Sequence, residues 1–216
     1  REKTPPSKIA VVYNGIDIVS KAGPVPALLQ THTADIWIAI TASLTPVKRH
    51  DLLIRAIAIL KQSLPMVRVK ALLMGDGAEK GKLEKLSQQL SLNEEVVFAG
   101  AVDNVADHLH HMHIGVLCSD REGLSNAIME YMACGLPVVA TRVGGNVELV
   151  DEANGICVPQ DDPEALAKAL KRLIRPASSC RPGRAKPTGG SPPGWAHMLP
   201  IPLTLFFCVI APNARK

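Results

Sequence analysis

Short apolar runs alternate with segments of helical periodicity along most of this chain, which restricts the folds it can adopt. Residues 36–42 form an apolar run typical of a strand, and residues 51–62 repeat Leu, Ile and Ala at the spacing of one helix face. Further strands are predicted at 67–74, 96–99, 114–117, 138–140 and 155–158, and further helices at 79–90, 105–112, 125–134 and from Pro163, with Asp162 as its N-cap. This order predicts an α/β fold: a Rossmann-like parallel sheet with helices on both faces.

Polar groups follow three of the predicted strands. Lys48 follows the first strand, Gly75-Asp76-Gly77 the second, and Glu122 the strand that ends at Leu117. Ligands of parallel sheets bind outside the carboxyl ends of the strands. We therefore expect these three candidate ligand groups to converge on the same edge of the sheet.

Two acidic residues eight positions apart, Glu122 and Glu130, accompany the start of a predicted helix. Apolar or small side chains surround Glu130 in residues 127–134, so this helix is expected to be buried and its carboxylate to need a partner. The turn before the helix leaves N–H groups unpaired, and such a helix start favours phosphate or another anion. A hydroxyl-rich, phosphate-bearing ligand satisfies both features. The structural alternative is an ion pair between Glu130 and a buried Arg or Lys.

Seven short motifs follow one another along the chain. They are residues 12–17, 44–53, 73–77, 97–100, 122–150, 154–159 and 162–166. In this order they resemble the C-terminal, nucleotide-sugar-binding lobe of the retaining family-four glycosyltransferases of the GT-B fold. The resemblance covers roughly residues 8–175.

The resemblance implies that the whole family enzyme transfers a hexose from a nucleoside-diphosphate sugar to an acceptor with retention. It assigns Glu122 to the donor sugar. Lys48 would neutralise the diphosphate leaving group, which is electrostatic stabilisation of charge that develops as the glycosidic bond breaks. No cofactor and no bound metal ion are expected.

The resemblance also implies a set of donor-binding residues: Ser43, Phe98, Gly123, Leu124, Ser125 and Glu130. Glu130 would hold the ribose hydroxyls, the backbone N–H groups of residues 123–125 would meet the diphosphate, and the strand containing Phe98 would pass beside the nucleobase. Ser43 departs from the family pattern, because an Arg at this position contacts the diphosphate in the family. Losing one such stabiliser typically costs on the order of a hundred- to a thousandfold in rate.

Charge and cysteine usage exclude some partners. Five of the 24 basic residues and none of the 20 acidic residues follow residue 175. The formal charge of +4 therefore belongs to the tail, and no nucleic-acid partner is expected. The five cysteines form no C-x-x-C pair, which favours a reducing, cytoplasmic compartment. No transmembrane segment is predicted, and peripheral contact with a membrane stays open.

Two other motifs suggest a ligand site. Gly75-Asp76-Gly77 followed by Gly81 resembles a dinucleotide loop, but its spacing is wrong for a dehydrogenase. Four histidines (His108, His110, His111 and His113) could bind zinc, but no Cys or acid completes a tetrahedral set at standard spacing. A solvated helix end is the better interpretation of the histidines.

We predict a crossover and linker at residues 1–35, a nucleotide-sugar-binding domain at 36–175, and a disordered or atypical tail at 176–216. The chain begins at the crossover, so the acceptor-binding lobe is expected to be missing, and whether the chain alone is an enzyme stays open. The alternative is a non-catalytic module that binds a nucleotide or a phosphosugar, which Ser43 and the missing lobe favour.

Overall fold

The computed structural model of the chain describes residue 16, residues 23–29 and residues 36–179, with side chains up to residue 174. The strands in this part are β1 (Ile36–Thr41), β2 (Val69–Met74), β3 (Val96–Gly100), β4 (Ile114–Leu117), β5 (Val138–Thr141) and β6 (Gly155–Val158). The α-helices are α1 (His50–Ser63), α2 (Lys80–Gln89), α3 (Val105–Leu109), α4 (Asn126–Ala133), α5 (Asn146–Leu149) and α6 (Pro163–Ser179). The predicted crossover motif, apart from Ile16, and residues 180–216 of the predicted tail lie outside the described residues.

The six strands form one parallel sheet in the order β3-β2-β1-β4-β5-β6. The chain runs outward from β1 to β3, returns to β4 beside β1, and then runs outward in the opposite direction. Ile38 of β1 is in register with Ala71 of β2 on one side and with Ile114 of β4 on the other. The predicted class, a Rossmann-like α/β fold, is confirmed.

Helices cover both faces of the sheet because the strands are apolar on both sides. Ile38 and Ile40 point to the face covered by α1, α2 and α6, and Trp37 and Ala39 point to the face covered by α3, α4 and α5. Right-handed crossovers require this division, since the connections on the two sides of β1 and β4 run in opposite directions. The core is therefore two apolar layers with the sheet between them.

Three helices differ from expectation. α3 ends at Leu109 because His111 and Met112 donate to carbonyls three residues back, at 3.0 Å each, which closes tight turns instead of continuing the helix. α5 was not predicted, because its four residues are too few to show a periodic pattern. α6 continues to Ser179, so the predicted boundary after residue 175 lies within its last turns.

The start of α6 is as predicted, since Oδ1 of Asp162 accepts the N–H of Ala165 at 2.8 Å. In the described part of the chain, no helix combines the length and the apolar character needed to span a membrane.

Tyr131 anchors α4 to the centre of the sheet. Its hydroxyl accepts the N–H of Thr41 at 2.7 Å and donates to the carbonyl of Val116 at 3.3 Å. The ring is fully buried and lies over Gly115, where a Cβ would overlap the ring atoms. Gly115 is therefore the residue of β4 that allows α4 to pack this close.

We predict that Gly115→Ala destabilises the fold by about 3 kcal/mol, because the added methyl has to displace a buried ring. Urea unfolding measures the loss. Gly81→Ala is the matched control: Gly81 lies in α2 with open space around it, and Ala there should add roughly 0.5–1 kcal/mol. Equal stability of the two variants would contradict the packing described for Tyr131.

Candidate functional site

A crevice opens at the carboxyl ends of β1 and β4, where the sheet order reverses. Such a switch point is where α/β sheets of this kind bind ligands. The crevice has a volume of about 330 Å³. Its lining comes from the end of β1 and the loop after it, the end of β4 and the start of α4: Thr41, Ala42, Ser43, Lys48, Leu117, Glu122, Leu124, Ser125, Asn126 and Ala127. The crevice thus brings together five of the predicted site residues: Ser43, Lys48, Glu122, Leu124 and Ser125.

The two residues with an implied catalytic role are in contact. Nζ of Lys48 lies 2.6 Å from Oε1 of Glu122, and the Ser119 hydroxyl donates to the same oxygen at 2.5 Å. The side chains of Lys48 and Glu122 are 26% and 10% exposed, so solvent screens the pair only in part. An anion that enters the crevice meets an ammonium group that Glu122 already orients.

The start of α4 presents unpaired donors beside this ion pair. Ser125 is the N-cap, and its hydroxyl accepts the N–H of Ile128 at 3.4 Å. Among the described residues, no acceptor contacts the N–H groups of Gly123, Leu124 or Ser125. Unpaired N–H groups at a helix start attract anions, as the sequence predicted for this turn.

Close backbone packing holds the loop that carries Glu122. Gly144 has a φ of +45°, and a Cβ there would overlap the carbonyl oxygen of Glu122. Gly145 donates its N–H to the carbonyl of Gly123 at 2.9 Å. The turn after β5 therefore supports the backbone on both sides of the Glu122–Gly123 peptide, and only glycine allows this approach.

The loop after β2 supports the opposite wall of the crevice. Gly75 has a φ of +146°, and a Cβ on Gly75 would overlap the carbonyl of Ala42, while one on Gly77 would overlap the carbonyl of Leu44. The N–H of Leu44 donates to the Asp76 carbonyl at 2.9 Å. These glycines thus pack against the loop after β1, at the same edge of the sheet as Lys48 and Glu122, and neither they nor Asp76 line the crevice.

Glu130 lies in a second cavity of about 260 Å³, on the side of α4 that faces α3. The cavity is otherwise mostly apolar, with Ile16, Val105, Ala106, Leu109, Ala133 and Cys134 in its wall. Burial raises the pKa of the Glu130 carboxyl. No Arg or Lys among the described residues pairs with it, so the structural alternative of a buried ion pair does not hold there.

Phe98 is not brought together with the other predicted residues. Its side chain packs with the cluster under α1 and α2, while its neighbours Val97 and Ala99 face α3 and α4. The alternation of side chains along β3 therefore turns Phe98 to the face of the sheet opposite the Glu130 cavity.

The four clustered histidines, His108, His110, His111 and His113, do not form a metal site within the described part of the chain. Nδ1 of His113 accepts the N–H of Trp37 at 3.0 Å, while His113 as a whole residue is exposed. The described residues hold no group of three or more His, Cys, Asp or Glu placed to bind a metal ion.

Arg49 was missed in the sequence. Its guanidinium contacts the carboxylates of Asp51, Asp120 and Asp161. Hydrogen bonds, first to Asp51 and then to Asp161, raise its pKa. Two of the three partners come from loops after β4 and β6, so no local sequence signal could have predicted the cluster.

The fold and the crevice define a Rossmann-like α/β domain whose switch point carries a cation beside a helix start. The family model for "Glycosyl transferases group 1" matches residues 35–176. The chain belongs to this family, and the predicted membership in the family-four glycosyltransferases of the GT-B fold is confirmed.

Two relatives and two solved structures illustrate the similarity. N-acetylgalactosamine-N,N'-diacetylbacillosaminyl-diphospho-undecaprenol 4-alpha-N-acetylgalactosaminyltransferase of Campylobacter jejuni is 30% identical over 171 residues, which is 78% of this chain and 45% of the relative. GDP-mannose-dependent alpha-(1-6)-phosphatidylinositol monomannoside mannosyltransferase of Mycolicibacterium smegmatis is 31% identical over 163 residues, which is 71% of this chain and 41% of its own. This chain thus spans less than half the length of these relatives.

Anabaena Alr3699/HepE, crystallised with UDP and glucose, matches with a TM-score of 0.69 and 29% identity over 78% of this chain and 48% of its own. A glycosyltransferase from Rickettsia africae matches in fold, with a TM-score of 0.62 and 23% identity over 67% of this chain and 38% of its own.

His50, the residue at which α1 begins, generates a prediction on pH. It is 1% exposed, and neither ring nitrogen has a partner among the described residues. Burial lowers its pKa from 6.5 to about 4. Between these values the unfolded chain binds more protons than the folded chain, so the free energy of unfolding falls as the pH falls from 6.5 to 4.

We expect His50 to account for a loss of roughly 3 kcal/mol across this window. His50→Leu removes the titrating group and should make the pH dependence shallower by this amount. Denaturant unfolding at a series of pH values from 4 to 7 measures both chains. Identical pH slopes for the two chains would show that His50 is not held neutral by burial.

Proposed function

We propose that this chain binds a nucleoside-diphosphate sugar along α4, and that in the whole protein it supplies the donor side of hexose transfer to an acceptor with retention. The observation that carries the proposal is the crevice at the switch point, where Lys48 of the loop after β1 faces the start of α4. The N–H groups of residues 123–125 have no acceptor there among the described residues. Such a site suits the diphosphate of a nucleotide, because positive charge and donors are both in place before the ligand arrives.

The ribose is assigned to Glu130. Ser125 lines the crevice and Glu130 the second cavity, five residues further along α4. At a rise of 1.5 Å per residue these positions are about 7.5 Å apart, which matches the reach from the phosphates of a nucleotide to its ribose. A half-buried carboxylate that has no partner among the described residues can accept hydrogen bonds from two ribose hydroxyls, and the apolar wall beyond it suits a base.

Known complexes of a similar protein support the nucleotide assignment. Anabaena Alr3699/HepE has been crystallised with UDP-glucose as well as with UDP and glucose, and matches this chain at 28% and 29% identity. By their names, the two relatives above are an N-acetylgalactosaminyltransferase and a GDP-mannose-dependent mannosyltransferase, and both names include a lipid, undecaprenol or phosphatidylinositol. We assign this chain the same reaction type.

The chemistry assigned to the crevice is charge stabilisation. As the glycosidic bond breaks, the bonding electrons pass to the diphosphate, and Lys48 with the N–H groups of the α4 start stabilises the growing negative charge. This arrangement supplies positive charge without a requirement for bound metal. Glu122, paired with Lys48 in the ligand-free chain, would then be free to hydrogen-bond the sugar. Ser43 offers a hydroxyl at the crevice but no second cation.

Binding of UDP, GDP and inorganic pyrophosphate, followed by calorimetry and by thermal unfolding in EDTA, tests the proposal. The preferred nucleotide at about a hundred times its Kd should stabilise the chain by roughly 2.7 kcal/mol. Lys48→Ala should weaken nucleotide and pyrophosphate alike. Glu130→Gln should weaken the nucleotide about tenfold and leave pyrophosphate unchanged, because only the nucleotide carries ribose.

Glu94→Gln is the matched control, because Glu94 is exposed just before β3, at the opposite edge of the sheet. It should behave as the parent chain does. Equal losses for nucleotide and pyrophosphate in Glu130→Gln would overturn the ribose assignment, and no stabilisation by either nucleotide would overturn the donor site as a whole.

A further inference from the structure

Arg49 combines an unfavourable backbone conformation with three ionic contacts. Its φ and ψ are 45° and 46°, in the left-handed region that residues with a Cβ rarely adopt. Its guanidinium forms two bonds to Asp51, at 3.0 and 3.2 Å, one to Asp120 at 3.1 Å, and one to Asp161. Arg49 follows Lys48 directly, yet it does not line the crevice.

Asp120 holds the chain on both sides of Lys48. Its N–H donates to the carbonyl of Val47 at 2.8 Å, and its carboxylate accepts from Arg49. The Gln160 side chain donates to the Asp120 carbonyl at 2.8 Å, so the loop before α6 holds Asp120 as well. Residues 47 and 49 are thus both bonded to Asp120, which lies two residues before Glu122. Glu122 in turn forms the ion pair with the ammonium group of Lys48.

The strain is concentrated in this cluster. Three non-glycine residues of the described chain have positive φ: Arg49, Ser91 and Asp161, at 45°, 55° and 53°. Two of the three, Arg49 and Asp161, are bonded to each other. Strained residues persist where surrounding contacts fix them, and they gather at functional sites. Partly exposed ion pairs contribute little to stability, so stability alone is a poor reason to retain such a pair.

We infer that Arg49 is a positioning residue for the phosphate side of the crevice: with Asp120 and Asp161 it forms a bracket that fixes Lys48 against Glu122. This inference rests on the proposed function and deepens it. The bracket joins the loops after β1, β4 and β6. Asp51, Asp120 and Asp161 place three negative charges near an incoming diphosphate, and Arg49 offsets one of them.

Two variants remove the bracket and keep the backbone. Arg49→Gly loses the guanidinium but accepts positive φ, and Asp161→Asn loses the charge at a residue type that tolerates this conformation. Ser91→Gly is the matched control, because it relieves the same kind of strain at an exposed turn between α2 and β3, away from the crevice. All three should melt close to the parent chain.

The first measurement needs no nucleotide. Acetylation of lysines in the ligand-free chain, read by mass spectrometry, reports how firmly Glu122 holds the Lys48 ammonium. Arg49→Gly and Asp161→Asn should raise the labelling of Lys48 severalfold relative to Lys82, whose side chain is 77% exposed. Ser91→Gly should leave the ratio unchanged. An unchanged ratio in both bracket variants would overturn the inference.

The second measurement is a double-mutant cycle with UDP, GDP and pyrophosphate as probes. Arg49→Gly should weaken the preferred nucleotide and pyrophosphate about tenfold, with uridine or guanosine unchanged, and should weaken neither further in a Lys48→Ala chain. Full additivity of the two substitutions would overturn the inference, because Arg49 would then act independently of Lys48. If the parent chain binds none of the probes, the proposed function fails and the labelling ratio alone decides the role of Arg49.

Discussion

The adjacency of β1 and β4 is the constraint on which the site depends. Their connections leave the sheet in opposite directions, so the loops that follow them separate and leave a crevice between them. Lys48 belongs to one loop and Glu122 to the other, 74 residues apart in sequence and 2.6 Å apart in space. Tyr131 links the two strands, because its hydroxyl accepts the N–H of Thr41 at the end of β1 and donates to the carbonyl of Val116 in β4.

Neighbouring loops support both walls of the crevice through direct backbone contacts. The turn after β5 packs against Glu122 and Gly123, and the loop after β2 packs against residues 42–44. The bracket around Arg49 adds a third support from the loop before α6. Loops held in this way keep charges and donors in place without a ligand, so less ordering is required when one binds.

Periodicity was sufficient to predict the strands, the sheet type and the edge on which Lys48 and Glu122 meet, because these follow from local pattern and general topology. Strand alternation also indicates the face to which Phe98 points, because Val97 and Ala99 face the opposite way. The supporting role of Gly75 and Gly77 depends on which loop passes beside them, and Arg49 depends on acids 71 and 112 residues away. Such contacts can be predicted only when the order of the strands in the sheet is known, and a single sequence does not provide that order. The implied roles of the site residues and the retention of configuration stay predictions.

The central claim is that the diphosphate of a nucleotide binds at the start of α4 beside Lys48. Titration of ¹⁵N-labelled chain with UDP and GDP, followed by amide chemical shifts, tests it most directly. The account predicts saturable shifts for Gly123, Leu124 and Ser125, whose N–H groups have no acceptor in the described chain. Amides at the opposite edge of the sheet, such as Val67 and Asn93, should stay in place. Saturable binding that shifts those distant amides and leaves residues 123–125 unmoved would contradict the account.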